Sequence, residues 1–199
     1  MLLWSFDFEE INSLIEQDDW AAAADKFVDA ASWLEHGGAD GIVICTNTMH
    51  KIAGEVADAI DVPLIHLIDE TAKRLHSEEK QRPLLLGTRF TMEQSFYADR
   101  LRENDLDPLL PESRDRECVH RIIYEELIEG RVKPPSTISL IEIIRQAETQ
   151  GADSVVLGCT ELGLLFQEQR PALPVFDTAI VHADAAVRFA LEIPSESMP

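Results

Sequence analysis

The sequence predicts an α/β protein made of two similar parallel-sheet lobes, with an active site in the cleft between them. Three observations predict it. Short apolar runs alternate with stretches of helical spacing, the pattern of parallel strands covered by helices. That pattern occurs twice: Gly38-Ala39-Asp40 leads into Ile42-Val43-Ile44-Cys45-Thr46, and Gly151-Ala152-Asp153 leads into Val155-Val156-Leu157-Gly158-Cys159-Thr160. Each apolar run stops at a Cys-Thr pair, and the C-terminal end of a parallel strand is where open α/β sheets place their chemistry.

The first half opens with an apolar segment, Leu2-Leu3-Trp4-Ser5-Phe6, read as a strand. Trp20 to His36 carries Phe27, Ala30, Ala31 and Leu34 at helical spacing. After Cys45 a helix is expected over Met49 to Ile60, then a strand through Val62-Pro63-Leu64-Ile65-His66-Leu67-Ile68 ending at Asp69, with Thr71-Ala72 behind it.

The second half opens on a strand, Pro83 to Leu86, turning at Gly87-Thr88 into a helix over Met92 to Asn104. A short strand follows near Leu109-Leu110. Ile138, Ile141, Ile144 and Ala147 mark a helix over Ser136 to Gln150, with Ser136 as its N-cap after Pro134-Pro135. After Cys159 come a helical stretch, Glu161 to Gln169, and a strand, Leu173-Pro174-Val175-Phe176, ending at Asp177-Thr178-Ala179. His182 to Leu191 reads as a final helix, and Pro194 to Pro199 as a frayed tail. Residues 1–78 with 180–199 are expected to form the first lobe and 79–179 the second.

The halves differ at their starts. The strand, turn and helix that open the second half have no counterpart before Leu2, so a βα unit of about 25–35 residues is expected to be missing or to lie upstream of Met1. Strands left without it would expose unpaired edges, and a chain extended upstream is expected to be more stable and more active.

Composition bounds the function. Of 199 residues, 45% are hydrophobic, enough for a packed core. No apolar stretch reaches membrane-spanning length and no leader pattern follows Met1, which reads as a cytoplasmic protein. Three cysteines argue against a disulfide framework. The net charge of −20, from 37 acidic and 17 basic residues, disfavours nucleic acid and anionic membranes as partners. No G-x-G-x-x-G and no P-loop occurs, and His50, His66, His120 and His182 lack metal-ligand spacing.

Two opposed thiols suit one reaction well. One, as thiolate, removes a proton from a carbon, and the other returns a proton to the opposite face, so the product is the mirror image. Cys45 and Cys159 both precede expected helices, whose N-termini would favour the thiolate and offer N–H groups to a carboxylate. Asn47, Thr48 and Thr160 add side-chain donors, and Gly87-Thr88 is a turn suited to anion contact. A lone strand-end cysteine is more often a core residue; two in duplicated settings favour function. Cys118, at an expected helix start, is read as structural. Asp69 and Asp177 end equivalent strands and are read first as helix caps.

Cys45-Thr46-Asn47-Thr48-Met49-His50-Lys51 and Gly158-Cys159-Thr160-Glu161-Leu162-Gly163-Leu164-Leu165 closely resemble the paired signatures of the aspartate/glutamate racemase superfamily, nearest its aspartate and broad-specificity branch. Leu85 to Glu93, His120 to Leu127 and Asp177 to Ala183 extend the resemblance over nearly the whole chain. It implies two-base proton transfer by Cys45 and Cys159 on an amino acid, with no cofactor and no metal, in a homodimer. Asn47, Thr48 and Thr160 then resemble carboxylate-binding groups. Glu161, which stands where glutamate racemases tend to carry His, is counted with Thr88 among the substrate-binding residues. Arg131 falls near a cationic position and is the candidate for the substrate's distal group, with Arg89 a second cation that would offset the acidic surface for a dicarboxylate. The family's opening strand, Gly-Gly-Met loop and helix are not matched. Rival readings are a hydantoin racemase, a maleate cis–trans isomerase, or a non-catalytic remnant that binds a ligand or partner.

Overall fold

The computed structural model describes residues 1–192. The expected tail, Pro194 to Pro199, lies outside the described residues. The described residues form two compact units: Met1–Ile44 with Met49–His66, and Cys45–Thr48 with residues 67–192. No helix among the described residues is long and apolar enough to cross a membrane.

The first unit is mainly helical. Helix α1 (Phe8–Glu16) follows Asp7, whose carboxylate accepts from the Glu9 and Glu10 amides at 2.9 and 3.4 Å. Helix α2 (Trp20–His36) is capped by Asp19 and buries Ala23, Ala24, Ala30 and Ala31 on one stripe. After Cys45 the chain forms a short 3-10 turn (Thr48–Ile52) and then α3 (Ala53–Asp58), rather than one continuous helix.

The strands expected in this half are reduced to one parallel bridge, Ile42 with Leu64, closed by Ile42 N–H to the Pro63 carbonyl and Ile65 N–H to the Ile42 carbonyl, both 2.9 Å. Leu2–Phe6 forms no strand. It is held by side chains: Phe6 stacks on Phe27 with ring centres 4.4 Å apart, and Trp4 meets Trp33 edge-on at 5.2 Å. Two segments that have each other as their ladder partners cannot extend a sheet, and aromatic packing wins over backbone pairing for the third. Glu35 ties the end of α2 to the next loop, accepting from the Asp61 and Val62 amides at 2.7 and 2.9 Å.

The second unit carries the parallel sheet, in order β1 (Pro83–Gly87), β2 (Ser154–Gly158), β3 (Val175–Asp177). Gly87 stands opposite Gly158, and Leu157 opposite Asp177. Successive strand side chains point to opposite faces, and both faces are covered. Leu84, Leu86, Val155 and Leu157 pack with Val119, Ile122, Leu140, Ile143 and Ile144 on one side. Leu85, Val156 and Phe176 pack with Leu67, Ile68, Leu75, Tyr97 and Leu101 on the other. Runs such as Leu84-Leu85-Leu86 read as continuously apolar for this reason.

The covering helices are α4 (Leu67–Ser77), α5 (Arg89–Glu93), α6 (Ser95–Glu103), α7 (Ser113–Ile122), α8 (Pro134–Thr149) and α9 (Thr178–Ala190). Helix α4 begins at Leu67, so Asp69 lies inside a helix and does not cap it; it pairs with Arg100 through two 2.7 Å bonds. The expected helix over Met92 to Asn104 is broken at Gln94, which is extended. Ser136 is not the N-cap of α8. Lys133 is, and Pro134 and Pro135 occupy the first turn, where a missing N–H costs nothing. Leu109 makes one parallel bridge with Leu84 rather than a strand. A π-helical turn, Ile123–Leu127, extends α7, and Cys118 sits within α7, half-buried against the core, not at its start.

Candidate active site

The site is built at the C-terminal ends of β1 and β2. A Cβ at Gly87 would lie 2.8 Å from the Gly158 carbonyl oxygen, and one at Gly158 would lie 3.0 Å from the Leu86 carbonyl oxygen. Only glycines allow the two strand ends to run this close, and the next residues, Thr88 and Cys159, leave the sheet side by side. Thr88 caps α5, accepting from the Thr91 amide at 3.4 Å.

The segment Cys45–Thr48 is folded into this same unit. Thr48 Oγ1 lies 3.4 Å from Thr88 Oγ1. Asn47, 3% exposed, donates from Nδ2 to Thr178 Oγ1 at 3.0 Å and accepts at Oδ1 from the Tyr97 hydroxyl at 3.2 Å. Thr178 in turn donates to the Leu157 carbonyl at 2.7 Å. One buried chain of hydrogen bonds thus runs Tyr97–Asn47–Thr178–Leu157. Two of its members flank the cysteines: Asn47 stands two residues after Cys45 and Leu157 two residues before Cys159. Burial pushes the Tyr97 phenol well above its ordinary range, so it stays a donor.

The two thiols differ in setting. Cys45 is exposed and Cys159 is buried. Cys159 Sγ lies 3.0 Å from Glu161 Oε2, which also accepts from Thr160 Oγ1 at 2.8 Å. Burial raises the Cys159 thiol well above the usual range, and the Glu161 charge and hydrogen bond raise it further, with Asp177 adding to them. This corrects the expectation that a helix N-terminus would favour the thiolate there. The helix after Cys159 is a five-residue 3-10 turn, Leu162–Phe166, not the longer helix expected, and burial together with a carboxylate at hydrogen-bond distance disfavours the thiolate.

The remaining candidates lie as follows. Asp177 caps α9, accepting from the Ala179 amide at 3.0 Å, and burial raises its carboxyl. Arg131 is exposed, pairs with Glu129 at 2.5 Å and donates to the Glu125 carbonyl at 2.6 Å. The Arg89 amide donates to His120 Nδ1 at 3.2 Å, and its guanidinium lies 5.5 Å from the Phe90 ring centre. Burial, helped by Arg89 and opposed by Glu93, lowers His120. His182 is buried on α9. Among the described residues no group of three or more His, Cys, Asp or Glu side chains could hold a metal ion.

Sequence reasoning missed Tyr97 and Thr178. Thr178 carried a signal, because Asp177-Thr178-Ala179 repeats the earlier Asp69 and Thr71-Ala72. Thr71 donates to Leu67 within its own helix at 2.8 Å, whereas Thr178 reaches the strand end. Tyr97 carried none. Glu126 was also missed: it is buried in the π-helical turn, accepts from Ser136 Oγ at 2.6 Å and pairs with Lys133 at 3.3 Å.

The sequence pattern of the family described as Asp/Glu/Hydantoin racemase matches residues 5–186. The chain belongs to that family. It is similar to the broad specificity amino-acid racemase RacX of Bacillus subtilis, with 25% identity over 87% of this chain and 73% of the relative. It resembles a crystal structure from Yersinia pestis described as a "putative Asp/Glu Racemase", with 43% identity, a TM-score of 0.89, and coverage of 96% of this chain and 83% of the other. A crystal structure of an aspartate racemase homologue from Pyrococcus horikoshii gives 30% identity and a TM-score of 0.84 over the same shares. These relatives bear out the α/β fold class and agree with membership of the Asp/Glu/Hydantoin racemase family.

Proposed function

We propose that this protein is a cofactor-independent amino-acid racemase that interconverts L- and D-forms by two-base proton transfer at Cα, with Cys45 and Cys159 as the bases. The substrate class is aspartate, glutamate or a broader set of amino acids, handled by a cytoplasmic homodimer. The observation that carries the reading is the buried chain Tyr97–Asn47–Thr178–Leu157, which ties the segment bearing one cysteine to the strand that delivers the other. The family match and the broad-specificity relative support the reaction class.

In this mechanism the Cys45 thiolate takes the Cα proton, and the Cys159 S–H gives its proton to the opposite face. The reverse reaction exchanges the roles. Thr48, Thr88 and Thr160 offer hydroxyls for the substrate carboxylate, and the second N–H of the Asn47 amide is a further donor. Arg131 would meet a distal carboxylate by exchanging its Glu129 partner for the substrate.

The test is chiral chromatography of an amino-acid panel with the wild type, Cys45→Ser and Cys159→Ser. The wild type is expected to racemise at least one member, and each variant to lose racemisation. Full activity in either variant would remove the two-base assignment. The family description also includes hydantoin racemases, so a hydantoin belongs in the panel as the second reading.

A further inference from the structure

The two thiols are not equivalent: Cys159 is buried with a carboxylate at hydrogen-bond distance, whereas Cys45 is exposed. Glu161 Oε2 lies 3.0 Å from Cys159 Sγ and 2.8 Å from Thr160 Oγ1, so a single carboxylate oxygen collects both side-chain donors of the Cys-Thr pair. Asp177, at the end of the neighbouring strand β3, also acts on this sulfur. Both are carboxylates. Cys159 itself is 7% exposed, with Leu157, Leu162 and Leu165 in the same apolar cluster. A thiolate there would face negative charge without bulk water to screen it. The segment after Cys45 is Thr46-Asn47, with no carboxylate at the matching place, and Cys45 is exposed.

We infer that Glu161 is a positioning residue that holds Cys159 in its S–H form, so that the free enzyme meets its substrate with Cys159 as proton donor and Cys45 as proton acceptor. The inference rests on the racemase reading for its catalytic meaning. In the forward turnover Cys45 S⁻ takes the Cα proton and becomes S–H. The electron pair left at Cα then takes the proton of Cys159, which becomes S⁻. No electrons are gained or lost overall, and the stereocentre is inverted. The product form leaves the Cys159 thiolate beside the Glu161 and Asp177 carboxylates. Return to the starting form needs Cys45 to give a proton to water and Cys159 to take one up, and the two carboxylates favour the uptake at Cys159.

The test reads the sulfur directly. Wild type, Glu161→Gln and Glu161→Asp are treated with iodoacetamide across pH 6–11, and the rate at each cysteine is followed by peptide mass spectrometry. Glu161→Gln is expected to lower the Cys159 midpoint by about one pH unit or more, which is about tenfold more thiolate on the acid side of the midpoint. Cys45 should be unchanged, and Glu161→Asp should keep the midpoint closer to that of the wild type. The alkaline limb of the racemisation pH profile should move to lower pH in Glu161→Gln. An unchanged Cys159 midpoint in Glu161→Gln would overturn the inference, whatever the activity. Circular dichroism of the variant separates this result from misfolding. Absence of racemisation in the wild type would instead overturn the functional reading, and the alkylation midpoint would still test the hold of Glu161 on the thiol.

Discussion

Asn47 donates to Thr178 across 3.0 Å, joining the loop that follows Cys45 to the first residue of α9. The bond is buried, and both partners are engaged a second time: Asn47 by Tyr97, Thr178 by the Leu157 carbonyl. A polar chain of this kind stabilises one arrangement while it is complete and costs most when one member is removed.

Asn47→Ala is therefore expected to destabilise the protein by about 1–3 kcal/mol, because the Tyr97 hydroxyl loses its acceptor in a dry site. Urea denaturation checks this. Thr178→Val should cost a similar amount, and the double variant less than the sum of the two, since the residues share one network. Simple additivity would mean that the chain does not act as a unit.

Gly158→Ala should be destabilising by about 1–3 kcal/mol, the range for forcing extra volume into packed structure. Its Cβ would lie 3.0 Å from the Leu86 carbonyl oxygen and 3.0 Å from Thr91 Cγ2. The first of these is backbone in the neighbouring strand and has little room to give. The same change at Gly54, which meets nothing within 4 Å, should act only through helix propensity, at most a gain of about 1 kcal/mol. Thermal melts of the two variants separate the effects.

The buried Glu126 makes stability depend on acid. Burial alone would raise its carboxyl, but the Ser136 hydroxyl and Lys133 ammonium lower it below the ordinary glutamate value. Depression of the folded-state value means that its contribution is present above the unfolded glutamate pKa of about 4.3 and is lost as pH falls through the folded value. Glu126→Gln should therefore flatten the loss of stability below about pH 4.3 relative to wild type. Urea midpoints at neutral pH and near pH 3 measure it, and parallel curves for the two proteins would refute it.

Much of the sheet-bearing unit was legible in the sequence. Leu84-Leu85-Leu86 and Val155-Val156-Leu157 read as buried strands and are buried strands, because residues covered on both faces need no alternation. Helix α2 was read from Phe27, Ala30, Ala31 and Leu34 with the ends the structure gives it, since Asp19 and Gly37 cap both sides. Ile42–Ile44 has the same apolar character, yet it makes one bridge, because a strand exists only through its neighbours and its partners are not coded locally. Asp69 and Asp177 look alike in sequence. They diverge because α4 starts two residues before the first, whereas α9 starts one residue after the second. In the site, the two cysteines and their threonines could be found by repetition. The resting character of Cys159 could not, since it depends on where the Glu161 side chain points.

The central claim is that two thiols act on opposite faces of one stereocentre. It is tested most directly by running the wild-type reaction from a single enantiomer in deuterium oxide and following Cα by mass spectrometry and chiral separation. With two bases, early product should carry solvent deuterium while the remaining substrate keeps its original hydrogen. Deuterium entering recovered substrate as fast as it enters product would mean that one group works on both faces, and would contradict the account.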